Sequence, residues 1–148
     1  MSSITSSIND GSIDVLYHQI QQFYAHQMQL LDEGRVEEWA ASFTEDGVFA
    51  ANAYPEPTRG RTAIYQAAQE ITNDLSAKGI TRRHWLGMLA LDPRDDGSVF
   101  VRSYAQVLET PRGGATVLRI ITVCEDLLCH DGKQWLVRNR QVWRDGLR

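Results

Sequence analysis

The first half of the chain has its apolar residues at helical spacing. One face of the first predicted helix carries Ile13, Leu16, Ile20 and Phe23. This spacing predicts an amphipathic helix that begins near Ser12, a residue type that often caps helices, and continues to about Leu31. Gly34 interrupts the pattern, and a short second helix is predicted over residues 36 to 43. A third helix is predicted over residues 62 to 78.

The second half of the chain has the pattern of strands separated by tight turns. Four strands are predicted, from Thr81 to Leu91, Val99 to Glu109, Thr116 to Leu128 and Gln134 to Trp143. The short turns between them favour an antiparallel meander. A shorter strand, Val48 to Ala51, precedes them after a turn at residues 44 to 47, and the proline-containing residues 54 to 60 are predicted to form a loop. Helices followed by a bent sheet indicate an α+β fold in which the helices cover one sheet face.

Composition limits the chain to one domain and excludes several classes of partner. With 148 residues, of which 43% are hydrophobic, we expect a single domain over residues 12 to 148 and a flexible polar arm at residues 1 to 11. A net charge of −4 without clustered Lys or Arg argues against nucleic acid or an anionic membrane as partner. The N-terminus lacks the features of a signal peptide, and no apolar stretch approaches the length of a membrane span.

The sequence has neither the residue spacing of a metal site nor that of a phosphate-binding loop. No cluster of His, Cys and carboxylate residues resembles a zinc or iron site, so we expect no metal. Gly113-Gly114 precedes no helix and therefore does not resemble a phosphate-binding loop, so we expect no cofactor. Cys124 and Cys129 are expected to be reduced thiols, which favours a cytoplasmic location.

Several short strings resemble the SnoaL-like branch of the nuclear transport factor 2-like superfamily. In order, they run from Asp32 to Trp39, Phe43 to Phe49, Gly60 to Ile64, Thr81 to His84 and Asp131 to Trp135. The resemblance implies a cone in which a curved antiparallel sheet and N-terminal helices enclose a deep apolar cavity. Members of this superfamily include dehydratases, a dehydrochlorinase, isomerases, polyketide cyclases and the non-catalytic small subunits of ring-hydroxylating dioxygenases. The fold alone therefore does not decide between catalysis and binding.

The same resemblance implies a catalytic pair formed by Asp32 and His84. In relatives that transfer protons, an Asp near the end of the first helix holds a His at the start of the strand after the third helix. A neutral imidazole can take a proton from the substrate, while the carboxylate fixes its tautomer and stabilises the imidazolium.

Five further residues are candidates for substrate contact. The resemblance places Arg140 where the last strand can point into the cavity, as a cation for a carbonyl, phenolate or leaving group. If the opposite face of that strand points inward, Asn139 is the polar contact instead. Tyr24 lies two turns and Met28 one turn before Asp32 on the first helix, as cavity-lining or core residues. Met88 replaces an amide residue common in this branch and makes the predicted cavity more apolar.

Two functions are compatible with this sequence. The first is a cofactor-independent lyase, isomerase or cyclase, in which His84 takes a proton next to a carbonyl of an apolar, aromatic or polyketide-like small molecule. The second is a non-catalytic ligand-binding or partner subunit that resembles a dioxygenase small subunit. An enzyme should have Asp32 and His84 within hydrogen-bonding distance in a cavity of sufficient size. A partner subunit should have a cavity filled by side chains and a broad apolar patch exposed for its partner. Under either function we expect a homodimer or other homo-oligomer.

Overall fold

The computed structural model describes the backbone of residues 2 to 147 and the side chains of residues 13 to 147. The flexible arm predicted for residues 1 to 11 lies outside the residues whose side chains are described. The elements are α1 (Ser2–Asp32), α2 (Val36–Ala40), β1 (Phe43–Ala51), β2 (Thr58–Arg59), α3 (Arg61–Ala77), β3 (Ile80–Pro93), β4 (Val99–Pro111), β5 (Val117–His130) and β6 (Trp135–Arg144). Among them, no helix is long and apolar enough to cross a membrane.

The strands form one six-stranded sheet in the order β2-β1-β6-β5-β4-β3. The meander predicted from β3 to β6 is confirmed, because each of these strands is antiparallel to the next. The sheet as a whole is mixed, since β1 runs parallel to β6. Parallel neighbours require a long connection, and here α3 and the three strands from β3 to β5 provide it.

Strand β1 is longer than its sequence pattern indicates. Residues 44 to 47, predicted as a turn, belong to the strand, and the pairing with β6 shifts between Phe43 and Val48. Gly47 accepts a hydrogen bond from the Gly60 amide through its carbonyl oxygen at 2.7 Å, so the segment is held by β2 as well. The short strand β2 itself lies in the predicted loop.

The core lies between the helices and the inner face of the sheet. Its fully buried aromatic and aliphatic side chains include Ile20 of α1, Val36 of α2, Phe43 of β1, Val101 of β4 and Leu128 of β5. Pairing irregularities interrupt β3 after Gly87, β4 after Val107 and β5 after Leu127. Such irregularities bend and twist a sheet, which explains how six strands curve around the helices.

Candidate active site

A cavity of about 880 Å³ lies between the end of α1, helix α3 and the first half of β3. Trp39, Phe49, Ile64, Leu75 and Ile80 contribute apolar side chains to its wall. Asp32, Arg82 and His84 contribute polar ones. A volume of this size falls within the range of about 300–1,000 Å³ that is usual for small-molecule sites.

Asp32 is placed at the cavity wall by the way in which α1 ends. Asp32 is the last residue of the helix, and Gly34 beyond it has a φ of +78°. The Gly34 amide donates to the Leu31 carbonyl at 3.1 Å, and the Arg35 amide donates to the Leu30 carbonyl at 2.9 Å. These are the two hydrogen bonds of a Schellman motif, which favours glycine at the left-handed position. The helix end is therefore fixed, and with it the position of the carboxylate.

Asp32 and His84 form a closely bonded pair. The His84 ring N–H at Nδ1 donates to Asp32 Oδ1 at 2.7 Å. The His84 backbone amide also donates to the same carboxylate, at 3.0 Å to Oδ2 and 3.3 Å to Oδ1. The two side chains are 10% and 18% exposed, respectively. One carboxylate thus fixes both the main chain and the ring of His84.

The pairing through Nδ1 determines which nitrogen of His84 can act on a ligand. A carboxylate can only accept, so the ring proton is held at Nδ1 when the imidazole is neutral. Nε2 then carries the lone pair, and among the described residues it has no hydrogen-bond partner. The neutral imidazole of His84 therefore has an unprotonated Nε2.

Arg140 lies in the core instead of at the cavity wall. It is 4% exposed, and its Nε and Nη2 donate to Asp126 Oδ1 and Oδ2, both at 2.9 Å. Nη2 also donates to Gln27 Oε1 at 2.7 Å, and the guanidinium lies 5.3 Å from the centre of the Phe43 ring. The prediction that Arg140 points inward agrees with this position, but its partners belong to the protein.

Tyr24 joins the same buried group of charges. Its hydroxyl donates to Asp126 Oδ2 at 2.7 Å. Burial, and next the negative charge of Asp126, raise the pKa of Tyr24 well above its usual value, so the hydroxyl keeps its proton. For Arg140, burial lowers the pKa but the attraction of Asp126 outweighs it, and the guanidinium stays charged. These residues form a satisfied network that ties α1 to β5 and β6.

Three other predicted contact residues also lie away from the cavity. Met28 is buried in the core. Met88 is 77% exposed, which corrects the expectation that it shares the inward face of His84. The reason is the pairing shift between Gly87 and Ala90, where Met88 has a φ of +56° and its side chain turns outward. Asn139 is exposed as well, because the pairing shift in β5 and β6 leaves Arg140 as the inward residue.

Sequence reasoning missed Arg82, which lines the cavity beside His84. Two residues apart on β3, these side chains share one face of the strand. The Arg82 Nε and Nη2 donate to Glu109 Oε2 at 3.0 and 2.6 Å, and Arg119 Nε donates to Glu109 Oε1 at 3.2 Å. The hydrogen bond from Arg82 lowers the pKa of Glu109 in spite of its burial. Alternation from His84 would have placed Arg82 inward, but its buried partner is 27 residues away in sequence.

The charged groups of the described residues do not assemble into a metal site. No group of three or more His, Cys, Asp or Glu side chains among them could hold a metal ion. Cys124 and Cys129 are both free thiols.

The fold and the cavity define an α+β cone of the nuclear transport factor 2-like class. Within this class, the chain belongs to the SnoaL-like domain family, whose model matches residues 16 to 141. A comparison with curated proteins finds no significant match.

Two solved structures from actinomycetes are similar over nearly the whole chain. ActVI-ORFA from Streptomyces coelicolor is 32% identical, with a TM-score of 0.82, and the alignment covers 90% of this chain and 97% of that one. A Catenulispora acidiphila protein in complex with S-DNPA is 34% identical, with a TM-score of 0.77, and the alignment covers 89% and 95%.

The fold also occurs in a subunit of a larger enzyme. A Novosphingobium aromaticivorans protein, named as the beta subunit of an aromatic-ring-hydroxylating dioxygenase, is 19% identical with a TM-score of 0.74. The alignment covers 93% of this chain and 94% of that one. At this identity the likeness concerns the fold alone.

Proposed function

We propose that this protein is a cofactor-independent lyase, isomerase or cyclase that acts on an apolar, aromatic or polyketide-like small molecule. The observation that carries the proposal is the hydrogen bond of 2.7 Å between Asp32 and His84 in the wall of a cavity of about 880 Å³. The similarity to a protein that binds S-DNPA supports a small-molecule ligand.

The proposed reaction begins with proton transfer to His84. Nε2 takes a proton from the carbon next to a substrate carbonyl, and the electron pair of that C–H bond moves to give an enolate. Asp32 stabilises the imidazolium formed and keeps its ring in place. The imidazolium then returns the proton, either to another carbon or to a leaving hydroxyl that departs as water. Isomerisation, ring closure and dehydration share this first step.

The alternative is a non-catalytic ligand-binding or partner subunit. The likeness to a dioxygenase beta subunit is compatible with it. The open cavity argues against a partner subunit, which needs no space for a small molecule, although the exposed apolar residues of the outer sheet face fit such a subunit. The fixed tautomer of His84 favours the enzyme over a protein that only binds a ligand.

The test is exchange of a carbon-bound proton, which needs no knowledge of the final product. The wild-type protein is incubated in D₂O with a panel of bicyclic and tricyclic aromatic ketones, and exchange next to the carbonyl is followed by NMR. We expect His84→Ala to reduce the rate of exchange by about 10²–10⁴-fold, the usual contribution of a general base. Equal exchange by wild type and a folded His84→Ala variant would rule out the mechanism.

His26 provides the matched control. It lies on α1, is exposed and is hydrogen-bonded to Gln22 at 2.9 Å, away from the cavity. Replacing it by Ala removes the same side chain and should leave exchange at the wild-type rate. If the protein is a non-catalytic subunit, neither the wild type nor the His26→Ala variant will show exchange.

We further propose that the protein forms a homodimer through the outer face of its sheet. Trp85, Gln106 and Ile121 are neighbours across β3, β4 and β5, and Tyr104 lies in the adjacent row. Trp85 is 69% exposed. Exposed apolar side chains gathered on one face commonly mark an interface, and a twofold axis allows that face to cover its copy.

A further inference from the structure

Arg82 occupies a place in the cavity wall that sequence reasoning assigned to Arg140. Arg140 is closed off by Asp126 and Gln27 in the core, so its charge is already neutralised by the protein. Arg82 lines the cavity together with His84, and its side chain is 24% exposed. Arg112 also lines the cavity. Arg82 is the arginine of that wall that lies on the same strand face as His84.

Glu109 binds the guanidinium of Arg82 but leaves some of its N–H donors without an acceptor. Glu109 is 6% exposed and lies opposite Arg82 in the pairing of β3 with β4. Both hydrogen bonds from Arg82 fall on the single oxygen Oε2, from Nε and Nη2. A guanidinium has five N–H donors. The donors on Nη1 have no acceptor among the described residues, so they are available to a ligand oxygen.

A second arginine satisfies the other oxygen of Glu109. Arg119 Nε donates to Oε1 from a largely exposed position, while Arg82 donates to Oε2. Glu109 is therefore bonded through both oxygens, and the Nη1 donors of Arg82 stay available. An anion or a developing oxyanion at Nη1 would be bound in a partly buried setting, where its attraction to the guanidinium is stronger than in water.

Arg82 also lies at a suitable distance from the proposed base. Residues two apart on one strand face have Cα atoms about 7 Å apart. A carbonyl oxygen and the proton on the neighbouring carbon can bridge two side chains that converge from such positions. The carboxylates of Asp32, Glu33, Glu56 and Glu70 also line the cavity, so the oxygen of a ligand is attracted to the part of the wall that carries Arg82.

We propose that Arg82 is an oxyanion-binding residue, which holds the enolate or phenolate oxygen of the ligand while His84 Nε2 takes the neighbouring carbon-bound proton. The assignment rests on the proposed function for its reaction. It narrows the substrate class to aromatic compounds with an enolisable carbonyl, including those whose enolate is a phenolate. The electron pair released from the C–H bond resides on the oxygen next to Arg82, and the proton resides on His84, so no oxidant, reductant or further reactant is needed.

The test uses a ligand that ionises without being turned over. 4-Nitro-1-naphthol absorbs at different wavelengths as phenol and as phenolate, so a spectrophotometric titration gives both its affinity and its ionisation when bound. With the wild-type protein we expect it to ionise at lower pH than in water. Arg82→Gln should weaken binding of the phenolate by about tenfold or more, which corresponds to one pKa unit.

Two control variants remove a neighbouring arginine and leave the cavity wall intact. Arg119→Gln removes the other partner of Glu109, and Arg83→Gln removes a charge from the outer face of the same strand. Both should bind the phenolate with nearly wild-type affinity. A folded Arg82→Gln variant that binds the phenolate as well as wild type, or a wild-type protein that does not bind it, would overturn the assignment.

Two further measurements separate this assignment from folding and from the proposed reaction. If Arg82→Gln does not fold, NMR of the wild type replaces it: the Nε resonance of Arg82 should shift on titration with the phenolate, and an unchanged resonance would refute the contact. His84→Ala should retain phenolate binding. Phenolate binding that depends on Arg82 in a protein without deuterium exchange would support the oxyanion site and reject the proposed reaction.

Discussion

At the scale of single residues, the buried charges explain why Arg140 faces inward. Strand alternation left Arg140 and Asn139 as alternatives, and the resemblance favoured Arg140. Neither contains information about Asp126, which comes beside Arg140 only through the pairing of β5 with β6. A cation in the core needs such a partner, because the cost of removing it from water is otherwise too large. The network is therefore a structural requirement, and its effect should be visible in stability.

Tyr24 gives this network a measurable pH dependence. The pKa of Tyr24 is raised by burial and by Asp126, whereas a tyrosine in the unfolded chain ionises near its usual value of about 10. Above that pH the unfolded state binds fewer protons than the native state, so the free energy of unfolding falls as pH rises. Tyr24→Phe should be less stable near neutral pH by about 1–2 kcal/mol, through the lost hydrogen bond. Its stability should also fall less steeply than that of wild type between about pH 10 and 11. Urea unfolding at several pH values checks both, and parallel curves for the two proteins would contradict the assignment.

At the scale of elements, the end of α1 links stability to the active site. Gly34 adopts a φ of +78°, which costs a residue with a side chain about 1–2 kcal/mol. A Cβ at this position would meet only Thr72 Cγ2, at 3.7 Å, so the cost comes from the backbone. Gly34→Ala should lower the free energy of unfolding by about that amount and should slow deuterium exchange, because Asp32 is the last residue of the helix.

A Gly132→Ala variant separates the loss of stability from the slower deuterium exchange. Gly132 lies in the turn between β5 and β6 with a φ of +96°, and no atom lies within 4 Å of where its Cβ would be. Gly132→Ala should therefore destabilise the protein to a similar or larger extent, measured by urea unfolding, without slowing exchange by the folded protein. A loss of exchange in both variants would mean that stability, rather than the position of Asp32, determines the rate.

The elements also mark the limit of what the sequence predicts. Helix spacing and turn residues located α2, α3 and the four long strands, because these signals are local. The parallel neighbour of β1 was not predictable in the same way, since the pairing joins residues about ninety apart, such as Val48 and Asn139. Met88 was misplaced for a related reason: a single pairing shift exchanges the two faces of a strand.

At the scale of the whole molecule, the curved sheet separates two functions onto its two faces. The inner face carries Arg82 and His84 toward the cavity, and the outer face carries Trp85, the residue that follows His84. The resemblance of the motifs was sufficient to expect the cone and to bring Asp32 to His84. It was not sufficient to identify Arg82, because the sequence does not show that Arg140 is paired with Asp126 in the core while Arg82 lines the cavity.

The outer face should determine the oligomeric state. A lysine at position 85 would place a charge in the middle of the apolar rows that include Tyr104 and Ile121, and burying it without a partner is unfavourable. We expect wild type to sediment as a dimer and Trp85→Lys to sediment as a monomer with an unchanged circular dichroism spectrum. Val15→Lys is the matched control, because Val15 is an exposed apolar residue on α1, away from the sheet, and the variant should stay dimeric. A monomeric wild type, or a Trp85→Lys variant of dimeric mass, would reject this interface.

Because the side chain of Trp85 points away from the cavity, the monomeric variant should still bind the phenolate through Arg82.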